Sequence, residues 1–272
     1  MPTCLANGVT LYYELDELAG TGERLLSISG TGGDLRQKPG VAEGPLGQAF
    51  EVLSYDQRGL GQSSTPTWPY AMADFAADAA ALLDTVGWED SLVIGVSFGG
   101  MVAQELAIRH PERVRRLVLA CTSAGGAGGA SFPLHELVDL DPEERVTRQI
   151  SLLDTRWDEA WRRYHPEMVA LIAERMPATA GEPAEGLTNQ LAARAKHDTT
   201  DRLGQIVCPT LVCGGRFDGI APPANSELLA QTIPDARLAL FDGGHAFFLQ
   251  DGAAWPAIVE FLGGGAAARA DP

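Results

Sequence analysis

Basic side chains are scarce in this chain. Twenty Lys and Arg stand against 36 Asp and Glu, a formal net charge of −16 over 272 residues. Nothing in such a balance neutralises phosphates in bulk, so nucleic acid is excluded as a partner. No run approaches the ~18 consecutive apolar residues of a membrane span. The first residues, Met1-Pro-Thr-Cys-Leu-Ala-Asn-Gly, lack both the basic region and the apolar core of a signal peptide. The expectation is therefore a protein with no membrane partner, located in the cytoplasm. Cysteine is also sparse: Cys4, Cys121, Cys208 and Cys213 show no metal-type spacing and read as free thiols in a reducing compartment. The glycine-rich Gly30-Thr-Gly-Gly33 lacks both the Lys-Ser/Thr of a P-loop and the G-x-G-x-x-G spacing, so nucleotide binding is disfavoured.

What is present alternates. Asn7-Gly8 is a two-residue hairpin signal joining a strand near Thr3–Leu5 to Val9–Leu15. Further strand-like runs are Arg24–Ser29, Phe50–Tyr55, Leu92–Ile94 and Val114–Ala120. Helical spacing covers Met72–Val86, stopped by Gly87, and Phe98–His110, stopped by Pro111. After Gly125-Gly-Ala-Gly-Gly129 the signals turn helical until about Gln205. Asp141-Pro-Glu-Glu144 reads as an N-cap with proline at N1. Trp157, Trp161 and Tyr164 recur at helical spacing, giving one aromatic stripe before Pro166. A stripe that narrow must bury against something, either the body of the protein or a pocket. A further helix is expected over Ala184–Lys196. The strand–helix rhythm then returns with Pro209–Gly214, Asn225–Thr232, Arg237–Phe241 and Trp255–Leu262. This order predicts an α/β protein with a mainly parallel sheet covered on both faces. Residues 1–125 and 206–262 form the body, 126–205 an inserted helical lid, and 263–272 a disordered tail.

The stretch that organises the rest is Gly95-Val-Ser-Phe-Gly99. It fits the G-x-S-x-G nucleophile elbow, with a strand before it and a helix after it, as that motif requires. A serine on so sharp a turn is forced into strained backbone angles, and glycines two residues either side remove the collisions a Cβ would cause. A serine hydroxyl needs a base, and the base needs an orienting acid. With this elbow the acid and then the histidine follow the serine in the chain. His245, in Gly-Gly-His-Ala directly after the last strand, is the candidate base; His110, His135, His165 and His197 read as surface or lid histidines. His165 could also touch substrate from the lid. Asp218, in the loop after the preceding strand, is the candidate acid, with Asp242 as its competitor. The backbone N–H groups of Phe98 and Thr31 are the candidate oxyanion donors. Asp56 and Arg58 read as residues that knit a loop together.

Gly95-Val-Ser-Phe-Gly99, Asp218, Gly-Gly-His245 and Asp56-Gln-Arg-Gly-Leu-Gly-Gln-Ser63 together resemble the α/β-hydrolase fold superfamily. The likeness spans nearly the whole chain outside the insertion. Gly-Val-Ser-Phe-Gly-Gly-Met-Val-Ala-Gln with His-Pro-Glu-Arg-Val is similar to the branch of 3-oxoadipate enol-lactonases, esterases and non-haem haloperoxidases. The resemblance implies an eight-stranded sheet and a serine hydrolase with no cofactor, its nucleophile at Ser97, acid at Asp218 and base at His245. Many members carry His-Gly where this chain has Ser29-Gly30. The expected reaction is hydrolysis of a carboxylic ester or lactone of a small molecule, with Trp157, Trp161, Tyr164 and His165 as candidate pocket residues. Carbon–carbon bond hydrolysis, thioester hydrolysis and a step in natural-product assembly stay open on the same residues. The reading from another class is a ligand-binding protein without turnover. The oligomeric state, monomer or homodimer, is left open.

Overall fold

The computed structural model of the chain describes residues 2–17, 22–67, 69–175 and 184–264. Its strands are β1 (Thr3–Ala6), β2 (Val9–Asp16), β3 (Arg24–Ile28), β4 (Glu51–Tyr55), β5 (Ser91–Val96), β6 (Val114–Ala120), β7 (Thr210–Gly215) and β8 (Ala236–Phe241). They form one eight-stranded sheet in the order β1-β2-β4-β3-β5-β6-β7-β8. β1 and β2 run antiparallel, as do β2 and β4, and every pair from β4 to β8 is parallel. The β1–β2 hairpin turns on Asn7 and Gly8, both at positive φ (49° and 78°), as a primed turn demands.

The helices of the body are α1 (Pro45–Ala49), α2 (Met72–Thr85) and α3 (Phe98–Arg109). The insertion between β6 and β7 carries α4 (Gly126–Gly129), α5 (Pro142–Leu153), α6 (Glu159–Tyr164), α7 (Pro166–Arg175) and α8 (Glu185–Ala195). The body resumes with α9 (Pro223–Thr232), α10 (Phe247–Gln250) and α11 (Ala254–Leu262). Gly263 and Gly264 follow α11, and 265–272, most of the expected tail, lie outside the described residues.

The strands are apolar on both faces because both faces are covered. Leu26, Val93, Leu117 and Leu119 point into a core built with α2 and α3. Their neighbours Leu25, Leu92, Ile94 and Val118 point the other way, against α1, α10 and α11. α3 lies deepest: every residue from Phe98 to Ala107 is buried. Its two polar members are satisfied. Gln104 donates to the Ser123 carbonyl (3.0 Å) and accepts from the Thr199 hydroxyl (2.6 Å), and Glu105 pairs with Arg109 and Arg202.

The neck of the insertion is closed by an antiparallel bridge between Gly125 and Asp198. α5 begins as its sequence demands, the Asp141 carboxylate accepting from the N–H groups of Glu143 and Glu144 (3.0 Å each). α8 approaches the body so closely that a Cβ on Gly186 would strike the backbone of Gly59.

Candidate active site

The loops at the carboxyl ends of β3, β5, β7 and β8 meet at Ser97. Ser97 holds φ 55° and ψ −114°, strained for a residue with a side chain. Its neighbours allow this: a Cβ on Gly95 would collide with the backbone of Gly99 and Gly100, and one on Gly99 with the carbonyls of Ile28 and Ser29. Two hydrogen bonds then pin the turn. Ser97 N–H donates to the Ala120 carbonyl (2.8 Å), and the Ser97 carbonyl accepts from the Thr122 hydroxyl (2.7 Å). The elbow is thus locked to the end of β6 on one side and to the end of β3 on the other.

His245 Nε2 lies 3.0 Å from Ser97 Oγ, and Nδ1 lies 2.8 Å from Asp218 Oδ2. Asp218 is buried, with 2% exposed. Its other oxygen, Oδ1, accepts the N–H groups of Ile220 and Ala221 (2.8 Å each), which fixes the carboxylate and leaves Oδ2 for the imidazole. The competitor Asp242 is far more exposed and pairs with Arg156 (2.8 Å). In this arrangement an imidazole can take a proton from a hydroxyl while a carboxylate holds its far nitrogen.

The loop after β3 lies alongside: a Cβ on Gly30 would sit 3.5 Å from Ser97 Cβ. The Thr31 hydroxyl is buried without a hydrogen-bond partner. Phe98 is fully buried, its ring edge-on to Phe75 (5.0 Å, 80°). Gln57 Nε2 donates to the Ser29 carbonyl (2.8 Å) and lies 3.2 Å from its hydroxyl, so the serine in place of histidine is held from the Asp56–Arg58 loop. That loop is knit as expected: Asp56 accepts from the N–H groups of Leu35 and Gln62 (2.7 and 2.8 Å), and Arg58 forms a buried pair with Asp78 (2.6 Å).

The insertion contributes residues that sequence reasoning missed. Gln190 of α8 accepts the Gly32 N–H (2.9 Å) and so anchors the β3 loop. The end of α5 docks on both loops that carry the acid and the imidazole. The Leu152 carbonyl accepts the Gly219 N–H (3.0 Å), and the Leu153 carbonyl accepts the His245 N–H (2.6 Å). Asp154 is fully buried; it binds Arg156 (2.7 Å) and Gln250 (2.9 Å), while Gln250 accepts the Gly244 N–H (2.7 Å). Arg156 stacks on the Phe217 ring at 4.1 Å. No spacing in the sequence distinguishes Gln190 or Asp154 from other polar residues of helical segments.

The aromatic stripe needs correction. Trp157 and Trp161 stack (4.8 Å, 17°) and Trp161 meets His165 (4.7 Å), but Tyr164 is 79% exposed. The stripe presumed one helix through all three residues. Asp158 instead caps a new helix, accepting the Trp161 N–H (2.8 Å), so Trp157 precedes it and Tyr164 turns to solvent. None of Trp157, Trp161, Tyr164 and His165 makes a ring contact or hydrogen bond with Ser97 or His245. Among the described residues no group of His, Cys, Asp or Glu is placed to hold a metal ion, and no helix is long and apolar enough to cross a membrane.

Residues 23–252 match a family described as the alpha/beta hydrolase fold. RutD of Azorhizobium caulinodans, provisionally named a carbamate hydrolase, is 32% identical over 254 residues, covering 91% of this chain and 92% of that protein. A poly(3-hydroxyalkanoate) depolymerase of Ectopseudomonas oleovorans is 34% identical over 241 residues, 88% of this chain and 83% of its own. Among solved structures, the enol-lactonase from Burkholderia xenovorans LB400 superposes with a TM-score of 0.79 at 26% identity, over 96% of this chain and 100% of that one.

Proposed function

The chain belongs to the α/β-hydrolase fold family, and from that premise we propose that it hydrolyses a carboxylic ester or lactone of a small molecule through an acyl-enzyme on Ser97. The observation that carries this reading is the imidazole of His245 bridging Ser97 Oγ and Asp218 Oδ2 at 3.0 and 2.8 Å. Ser97 Oγ attacks the carbonyl carbon and gives its proton to His245 Nε2. The oxygen that becomes negative is held by the N–H groups of Phe98 and Thr31, the first at the amino end of α3. The tetrahedral adduct collapses, and the leaving alkoxide takes the proton back from the imidazolium. An ester loses its alcohol at this point, whereas a lactone keeps it tethered to the acyl group. Water then attacks the acyl-serine, His245 accepts its proton, and the acid leaves with Ser97 Oγ reprotonated. Asp218 stays ionised throughout and fixes Nδ1–H toward itself.

In this reading residues 126–205 serve as a lid, and α5 and α8 tie it to the β3, β7 and β8 loops of the site. The reading is tested by fluorophosphonate labelling with identification of the modified residue, run beside p-nitrophenyl esters of increasing acyl length and small lactones. Labelling at Ser97 that is lost in Ser97→Ala, with turnover of one of these substrate classes, is the expected result. A protein that neither labels nor turns over any ester or lactone is not this enzyme.

A further inference from the structure

Helix α8 carries polar residues inward at successive turns. Gln190 reaches the β3 loop, and Arg194, one turn on, faces a cavity of 380 Å³ that is also lined by Met101, Ser123, Ser131, His135 and His197. From this cavity we infer a binding site for a carboxylate-bearing ligand, seated on the guanidinium of Arg194 with the Ser123 hydroxyl and the His197 ring as its neutral hydrogen-bond partners.

Arg194 is 6% exposed, yet no acidic side chain among the described residues pairs with it. Two of its nitrogens donate, to the Phe132 carbonyl (2.8 Å) and the Ser131 hydroxyl (2.6 Å), while Nε has no acceptor. A buried cation without a counter-charge is costly, and burial alone pushes this guanidinium down to about 10. His197 is 3% exposed, and neither ring nitrogen makes a hydrogen bond of full geometry, with the Ser123 backbone its one weak polar neighbour. Burial lowers it to about 4, so at neutral pH it offers one donor and one acceptor. The Ser123 hydroxyl, fully buried, is likewise unpartnered.

The remaining charges on the cavity wall do not supply the missing anion. Lys196 adds a further cation, and the Asp198 carboxylate is engaged by the Thr200 N–H (3.0 Å) at an exposed position. Glu105, nearby on α3, is taken up by Arg109 and Arg202. An apolar ligand would leave all of these groups unpaired, and a metal ion would meet the guanidinium's charge. Lys196 is exposed and solvated, so a phosphate dianion would over-compensate the one buried guanidinium, whereas a carboxylate balances it and matches its planar fork.

The carboxylate could be the far end of the substrate's acyl chain or a separate small acid. Two arms distinguish these sources. In the first, kcat/KM is compared for p-nitrophenyl esters of dicarboxylic half-acids and for neutral esters of equal chain length. In the second, the melting temperature of the intact protein is followed with increasing succinate against sodium chloride at equal ionic strength. A preference of about tenfold or more for the acid-tailed esters, lost in Arg194→Gln and partly kept in Arg194→Lys, assigns the site to the substrate. Saturable stabilisation by succinate that vanishes in Arg194→Gln, without any ester preference, assigns it to a separate acid. Should Arg194→Gln fail to fold, Ser123→Ala, which removes a hydroxyl with no partner, makes the same comparison. Neither preference nor stabilisation in the wild-type protein overturns the inference and leaves a water-filled cavity. The ester arm rests on the hydrolase reading; the melting arm does not, so it decides the inference even if Ser97 fails to label.

Discussion

Two helices of this molecule follow residues of functional interest, α3 after Ser97 and α6 after Trp157. α3 is buried from Phe98 to Ala107, and the turn that launches it is locked by glycines pressed against the end of β3 and by a backbone bond to β6. None of α6 is buried; a carboxylate cap and ring stacking between Trp157 and Trp161 give it its place. The first geometry is imposed by the backbone, so a few residue types at fixed spacing suffice to recognise it. The second depends on which side chains happen to meet, and spacing alone does not reveal that. The candidate site therefore rests on one part fixed by the backbone of the sheet and is flanked by another, in the insertion, held by side-chain contacts.

The contrast is broken most directly at the part fixed by the backbone. Ser97→Ala and His245→Ala are each expected to lower kcat by up to about 10⁶-fold, with the double variant little worse than either single one. Retention of more than about a tenth of the activity by either would remove that residue from the proposed chemistry. Next in size, Asp218→Asn is expected to fold and to lose about 10⁴-fold in kcat by misorienting the imidazole. Asp242→Asn removes only a solvent-exposed partner of Arg156 and should change kcat little; the reverse ranking would transfer the role of the acid.

The third expectation concerns stability. His197 titrates near 4 in the folded chain but near its ordinary ~6.5 when unfolded. Between these values the unfolded chain binds the additional proton, so stability rises with pH across that window and is lost as pH falls through it, by about 3 kcal/mol. Urea titrations at pH 7 and pH 4 should show a smaller loss for His197→Gln than for the wild type. An equal loss would mean that this histidine is not the group responsible.

The part held by side-chain contacts is probed by smaller effects. Asp154→Ala strips the hydrogen bonds that hold Arg156 and Gln250, and is expected to cost about 1–3 kcal/mol. It should also lower kcat, because Gln250 in turn holds Gly244, next to His245. Loss of stability with kcat untouched would separate the insertion from the site. Last come the rings: Trp157→Ala or Trp161→Ala is expected to shift relative kcat/KM between short and long esters by about tenfold. Tyr164→Ala should leave both melting and the profile within about 0.5 kcal/mol of wild type. If both tryptophan variants keep the wild-type profile, the stacked pair is packing alone.

Legibility followed the same division. Val114–Ala120 was readable to the residue, and the other body strands to within a few residues, because β-branched and aliphatic runs bounded by glycine or proline have few alternatives inside a covered sheet. The elbow and the loops carrying Asp218 and His245 were readable because their positions follow from strand ends. The stripe failed because helical spacing was counted straight through Asp158, although an Asp followed by Glu159 is itself a start signal. The hooks at Gln190 and Asp154 are contacts between distant parts of the chain, and only the folded molecule brings their partners together.

The docking of Leu152–Arg156 carries a consequence for anyone who would recombine this protein with its relatives. By chain order that segment belongs to the insertion, yet its carbonyls and carboxylate hold the loops of Asp218 and His245. A chimera joined at Gly125 would import a foreign cradle for its own histidine. A junction placed after Arg156 keeps the cradle with the scaffold it supports, and leaves the stacked tryptophans and α7 as the exchangeable module.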